Sequence, residues 1–292
     1  MNTRWLSIMK KFLLLLIIFL FLLSGCAQQE STQIAATTLP VWEFTTALCE
    51  NTDITVTRLV TENVSCLHDY SLRVSQMQAV ESCDAVVLSG AGLEEFMADV
   101  LQDANHVIDA SKSIDLSCEH SHGEHNHAHD PHIWLSPANA KQMCQTICSG
   151  LSALYPSHKA QFETNLNNLI KRLDALQAYG EDTLKDLSSR NLITFHDGFT
   201  YFAASFDLQI LKAVEEESGS EASAKELVEL IETVKNHDLQ AIFTEVNGST
   251  SAAEIIASET GVKVYALDMA IAGEGYFDAM YRNIDTIKEA LQ

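Results

Sequence analysis

Between Ser157 and Leu187 the chain has no proline and no β-branched run, and its apolar residues recur with the period of a helix. Phe162, Leu166, Leu169, Leu173, Leu176, Gly180, Leu184 and Leu187 step by four, three, four, three, four, four and three. That is one apolar stripe on one long helix, with Gly180 as a point of close packing or a slight weakness. Thirty-one residues at helical rise span about 45 Å, the length of a whole domain. Such a helix either pairs in a coiled coil, which needs a partner stripe, or lies across two lobes. The flanking sequence favours the second.

On both sides short β-branched runs alternate with longer helical ones. Before the long helix, 34–38, 54–59, 85–89 and 106–109 read as strands. Helices are expected from Val41 to Glu50, in SQMQAVES and LEEFMADVL, and from Pro137 to Leu154. After it, 191–195, 208–214, 241–246 and 262–267 read as strands. FTYFAASF, SAKELVELIETVKN, SAAEIIASE and a last segment from Tyr276 to Leu291 read as helices. The alternation implies α/β architecture with mostly parallel sheets flanked by helices. The expected layout is a lobe over 33–154, a rigid linking helix over 157–188 and a second lobe over 190–292, with no internal sequence repeat between the lobes.

Residues 1–26 are set apart from that fold. Arg4, Lys10 and Lys11 precede an unbroken apolar run from Phe12 to Leu23, then Ser24, Gly25 and Cys26. A positive start, a short apolar stretch and small residues at the end describe an export signal. A membrane-spanning helix needs about 20 apolar residues, more than this run supplies. The ending LSGC resembles a bacterial lipoprotein processing site, which implies a lipidated Cys26 and a chain tethered outside the cytoplasm.

With 18 basic against 40 acidic residues the formal charge is −22. Nucleic-acid and anionic-membrane surfaces need basic patches, so neither partner is expected, whereas cations are attracted. Six further cysteines, Cys49, Cys66, Cys83, Cys118, Cys144 and Cys148, leave disulfides open without indicating a pairing. Cys144 and Cys148, four apart on a helix, read as small buried hydrophobes. Cys66, two before His68, is a weak candidate ligand.

Six of the eleven histidines fall between Cys118 and Pro137. His120, His122, His125, His127 and His129 sit in an apolar-free, glycine-containing loop over 118–130, expected to be mobile and to bind metal loosely. His132 stands where composition turns apolar, just before Ser136 and Pro137 open a helix in N-cap and N1 order. There a fixed ligand is expected.

His68, in HDY after the second strand, His132, in DPHIWLSP, and His196, in TFHDGF after the fifth strand, occupy strand-to-helix junctions. Asp268 closes the last strand at the equivalent place. Ligands of doubly wound sheets bind at the carboxyl ends of the strands, so these four are expected to converge between the lobes. His106, His158 and His237 lack such company and read as surface residues. Imidazole nitrogen suits zinc and the later transition metals, whereas manganese prefers carboxylate oxygen. Three histidines and one carboxylate make a closed tetrahedral zinc site.

HDYSLRVSQMQAV, DPHIWLSPANA, TFHDGFTYFAASFDL and IFTEV, with the lipoprotein-like start and the His-rich insertion, resemble the zinc-specific solute-binding lipoproteins of bacterial metal ABC importers (cluster A-I). The resemblance runs from about Ile34 to the C-terminus. It implies two α/β lobes joined by a backbone helix, with metal held between them by His68, His132 and His196 and a C-terminal-lobe carboxylate at Asp268. Water, Glu245 and Asp197 are alternatives for the fourth position or supports around it. Val74 and Val246 stand where many relatives have proline, and Leu67 precedes His68 where some have a carboxylate. The expected function is high-affinity Zn2+ capture outside the cytoplasm and delivery to an ABC permease and its ATPase. The expected protein is a monomer anchored to the outer face of the membrane. A manganese or iron receptor of the same family is the nearest rival, and adhesion is a further role for an exposed lipoprotein. A zinc-dependent hydrolase, with Glu245 as base, is a weaker reading because HExxH is absent.

Overall fold

The computed structural model describes residues 33–62, 64, 67, 70–116, 130–214, 222–273 and 275–292. Cys26 and the export signal, Cys66, His68 and Asp69, and the tract containing Cys118, His120, His122, His125, His127 and His129 lie outside the described residues.

Two four-stranded parallel sheets carry the fold. The first contains β1 (Gln33–Ala36), β2 (Thr55–Arg58), β3 (Ala85–Leu88) and β4 (Val107–Asp109), in the order β2-β1-β3-β4. The second contains β5 (Asn191–Thr194), β6 (Gln209–Ala213), β7 (Ala241–Glu245) and β8 (Lys263–Leu267), in the order β6-β5-β7-β8. The two orders are the same. In each sheet the chain leaves the first strand to one side and returns on the other, so crossovers diverge between β1 and β3 and again between β5 and β7. At such switch points the strand ends open a crevice. The strands are buried apolar runs at the sheet centres, as in AVVL of β3, with all four residues buried.

Helices cover both faces. In the first lobe these are α1 (Leu39–Leu48), α2 (Val74–Ser82), the short α3 (Ala98–Leu101) and α4 (Pro137–Leu154). Ser136 caps α4, its hydroxyl accepting from Asn139 N at 3.4 Å with Pro137 at N1, as the sequence indicates. LEEFMADVL is not one helix. Gly90, Ala91 and Gly92 all have positive φ, and the stretch becomes a 3₁₀ turn (Glu95–Met97) followed by α3. That turn bends back because the Glu94 carboxylate, fully buried, accepts from Thr37 Oγ1 (2.6 Å), Ser89 N (2.7 Å) and Gly90 N (3.0 Å) at the end of β3.

The long helix is α5, Lys159–Thr183, preceded by a 3₁₀ turn at Pro156–His158. Its 25 residues span about 37 Å, shorter than the apolar stripe suggested, because the Pro156 turn takes the first two positions and the helix ends at Thr183, before Leu184 and Leu187. It packs along α1 and α4 and also along α9 (Tyr276–Leu291), so it lies across both halves. The remaining helices are α6 (Thr200–Ser205), α7 (Ala224–Asn236) and α8 (Ser251–Thr260). One apolar core runs from Ile34 and Phe44 through Trp134, Phe162 and Leu176 to Phe243, Leu267 and Tyr276, continuous between the halves. Smaller cores lie outside it in each lobe, around Leu230 and Ile242 in the second and Val80 and Val86 in the first.

Cys49, Cys83, Cys144 and Cys148 are free and buried, so none of the described cysteines forms a disulfide. Burial pushes the Cys49 thiol up to about 12. His106 and His237 are exposed as expected, but His158 is half-buried, with Nε2 2.9 Å from Asp53 Oδ1. No helix among the described residues is long and apolar enough to cross a membrane.

Candidate metal centre

His196 follows β5 by two residues and Glu245 ends β7, so the two flank the switch point of the second sheet. Glu245 Oε1 lies 3.0 Å from His196 Nδ1, both side chains being about 5% exposed or less. His132 belongs to the other half, at the start of a 3₁₀ turn (Ile133–Leu135) that leads into α4, so no strand directly precedes it. Asp130 Oδ1 accepts from the His132 backbone N–H at 2.8 Å and lies 2.8 Å from its Nδ1. A carboxylate at Nδ1 draws the ring proton to that nitrogen and leaves the lone pair on Nε2.

At His132 that leaves Nε2 directed at the second ring, and His132 Nε2 stands 3.3 Å from His196 Nε2. One Nε2 carrying a proton donates to the other, and with both nitrogens bare the pair is spaced to share a cation. Ligands on a tetrahedral ion with bonds of about 2.0–2.1 Å stand about 3.3–3.4 Å apart. The separation fits zinc geometry. Burial pushes the His132 imidazole below its ordinary value, against the opposing pull of Asp130, so the neutral ligand form prevails at neutral pH. Glu245 Oε2 and Asp130 Oδ2 are buried and have no hydrogen-bond partner among the described residues. Unsatisfied carboxylate oxygens of this kind suit a site completed by a cation.

Asp268 follows β8 and lines a shallow opening with Glu245, Val246, Met269, Ile271 and Val64. Val64 comes from the segment that bears His68. The Asp268 carboxylate is engaged on both oxygens: Oδ1 accepts from Ala270 N at 2.8 Å, and Oδ2 lies 3.1 Å from Arg282 Nη2. Asp197 is half-buried beside His196. Thus the structure brings His132, His196 and Glu245 together, and Asp268 shares with Glu245 an opening that neither imidazole lines. Among the described residues no three His, Cys, Asp or Glu side chains close around one point. The flanks of the segment holding His68 are fixed: Leu67 is buried, and Tyr70 donates to Glu62 Oε2 at 2.7 Å and accepts from Gln76 Nε2 at 2.7 Å.

Three contributors stand outside the ligand set expected from the sequence. Asp130 was legible in DPH, an acid two residues before a candidate ligand. Gly198 was not. A Cβ there would stand 2.5 Å from His196 Cδ2, 2.6 Å from Met269 Cε and 2.9 Å from His132 Nδ1, so only a bare Cα leaves both rings in place. Met269, 3% exposed, fills the space behind them.

The chain matches the family described as ZnuA, zinc-uptake complex component A, periplasmic, over residues 34–290. A protein of Treponema pallidum described as metal-binding is 30% identical over 294 residues, covering 92% of this chain and 93% of that one. The zinc-binding lipoprotein AdcA of Streptococcus pneumoniae is also 30% identical, over 96% of this chain, which spans only 61% of AdcA. The crystal structure of ZnuA superposes with a TM-score of 0.80 at 31% identity, covering 90% of this chain and all of that one. The Zn(II)-bound ZnuA-like domain of Streptococcus pneumoniae AdcA superposes at 0.76 with 26% identity, over 89% of this chain and 99% of that domain.

Proposed function

Because the chain belongs to the ZnuA zinc-uptake family, we propose that it is the extracytoplasmic receptor of an ABC importer, capturing Zn2+ between its lobes. It is a solute-binding protein, not an enzyme. The observation that carries the reading is the pair of inward-facing Nε2 atoms 3.3 Å apart, each backed by a carboxylate at Nδ1. The ligands are His132 and His196, joined by His68 from the first lobe. A carboxylate of the second lobe takes the fourth place, Asp268 once it gives up Arg282, or Glu245 through its open Oε2. Glu245 and Asp130 orient the two imidazoles, and Asp197 supports His196.

Capture begins at the acidic loop of His120, His122, His125, His127 and His129, which binds loosely and raises the local zinc concentration. The ion then passes to the buried site. Because α5 and the central core join both halves, closure is a small motion. The loaded lobes face the permease, whose ATPase cycle drives opening and release. Lipidated Cys26 holds the monomer at the outer face of the membrane. Zinc is favoured over manganese by the imidazole-rich donor set.

The direct test is a chelator-competition titration of the purified chain with zinc. Tight one-to-one binding that drops at least 100-fold in His132→Ala and His196→Ala supports the assignment. Equal affinity in all three proteins removes it.

A further inference from the structure

The segment after β8 belongs by sequence to the second half, yet donors from the first half hold it. Trp134 Nε1 donates to Met269 O at 2.8 Å, Leu39 N to Ile271 O at 3.2 Å, and Arg58 Nη1 to Gly273 O at 2.9 Å. Alternate carbonyls are taken, as they are when a strand adds to an edge. Tyr276 closes the strap, its N–H donating to Glu43 Oε2 at 2.6 Å and its hydroxyl to Trp134 O at 2.8 Å. Ala270 and Gly273 have left-handed φ of 52° and 94°, so the path is an imposed one. Asp268 opens the strap, and its carboxylate accepts from Ala270 N.

Trp134 is central to this. It is fully buried, and both its indole N–H and its backbone carbonyl are bonded into the strap. Its ring meets the His132 ring edge-on at 5.4 Å, and His132 meets His196 at 5.0 Å. We infer that Trp134 is a positioning residue for metal capture: it clamps the Asp268–Gly273 strap to the first lobe while bracing the His132 imidazole. The inference rests on the receptor reading of His132 and His196. Its consequence is kinetic. Any opening that draws His132 away from the strap must first break the indole bond, and the imidazoles are buried with that bond in place, so the clamp slows both entry and loss of the ion.

The test uses the full chain loaded with Co2+, whose visible absorption reports ligand geometry, together with zinc release into excess chelator. Trp134→Phe keeps a ring against His132 and loses the N–H. Expected results are altered cobalt bands, zinc release about tenfold faster, and association faster by a smaller factor, the difference being the scale of losing a group that orients a ligand. Tyr276→Phe should shift both readouts the same way and decides the matter if Trp134→Phe does not fold. Leu230→Ala, in the outer core of the second lobe, serves as the stability control: it should lower the melting temperature and leave the cobalt bands as they are. If the wild-type bands require His132 but are identical in Trp134→Phe and Tyr276→Phe, with equal release rates, the clamp is overturned and the receptor reading stands. Wild-type bands that survive His132→Ala overturn both.

Discussion

His132 and His196, the proposed ligands, are placed and oriented by their neighbours. Each has a carboxylate oxygen within 3.0 Å of Nδ1 and each is nearly fully buried, and at His132 burial favours the neutral ring. Removing that support at one ring should cost metal affinity without removing a ligand nitrogen. Glu245→Gln is expected to weaken zinc binding by about 10–100-fold, measured by chelator competition. Equal affinity in the variant would show that Glu245 does not orient His196. A second buried carboxylate, Glu94, offers a contrast, since desolvation raises it from 4.5 to about 7 despite three hydrogen bonds. A raised carboxylate favours the folded state fully below its unfolded value, and the benefit is lost as pH rises through the folded one. Between pH 4.5 and 7 that loss is on the order of 3 kcal/mol. Metal-free thermal melts should therefore show wild-type stability declining from pH 5 to pH 8 more steeply than in Glu94→Gln. Parallel curves would mean Glu94 does not titrate in this window.

At the scale of elements, the long helix shows what periodicity reveals and what it hides. Its stripe was legible: Phe162, Leu169, Leu173, Leu176 and Gly180 are all buried. Asn165, also buried, was not, because a polar side chain inside an apolar stripe carries no periodic signal. Its Nδ2 donates at 2.8 Å to both Leu48 O and Glu50 O, tying α5 to the end of α1. Gly180 was read as a packing point, and a Cβ there would lie 2.2 Å from the Phe206 ring. Gly→Ala in a helix gains about 1 kcal/mol of propensity. Overpacking a filled core costs about 1–3 kcal/mol, and Phe206, edge-to-face with Phe202 at 5.0 Å and buried, has little room to yield. The clash outweighs the propensity. Gly180→Ala should lower the melting temperature, and Phe206→Leu in the same chain should recover part of the loss. A melting temperature equal to or above wild type in the single variant would reverse that balance. The repeated 2-1-3-4 sheet order was hidden for a different reason. Parallel buried strands require only β-branched runs, so two sheets can share a topology with no residues in common. The convergence of His132 and His196 was legible because both sit beside strand or helix ends. The clamp through Trp134 was not, since it depends on where a loop docks 135 residues away.

The whole molecule is two sheets sharing one core, and that decides how it should answer to its cargo. Because the apolar cluster passes without interruption from Ile34 to Tyr276, the lobes cannot unfold independently without exposing it. Melting should be one cooperative transition, with or without metal. A ligand that binds only the folded state at about 1,000 times its dissociation constant adds about 4 kcal/mol. For a chain of this size that corresponds to a rise of about 10 °C. The buried pair and the histidine tract can then be separated by deletion. A chain lacking His120–His129 should keep nearly the full zinc-induced rise, because the ion that couples to folding is the one held between the lobes. His132→Ala or His196→Ala should lose most of it even with the tract present, because loose binding to an apolar-free loop does not distinguish folded from unfolded chain. Differential scanning calorimetry of the four proteins, with zinc and with chelator, measures this. A rise that follows the tract rather than the pair would move the tight site out of the cleft between the sheets.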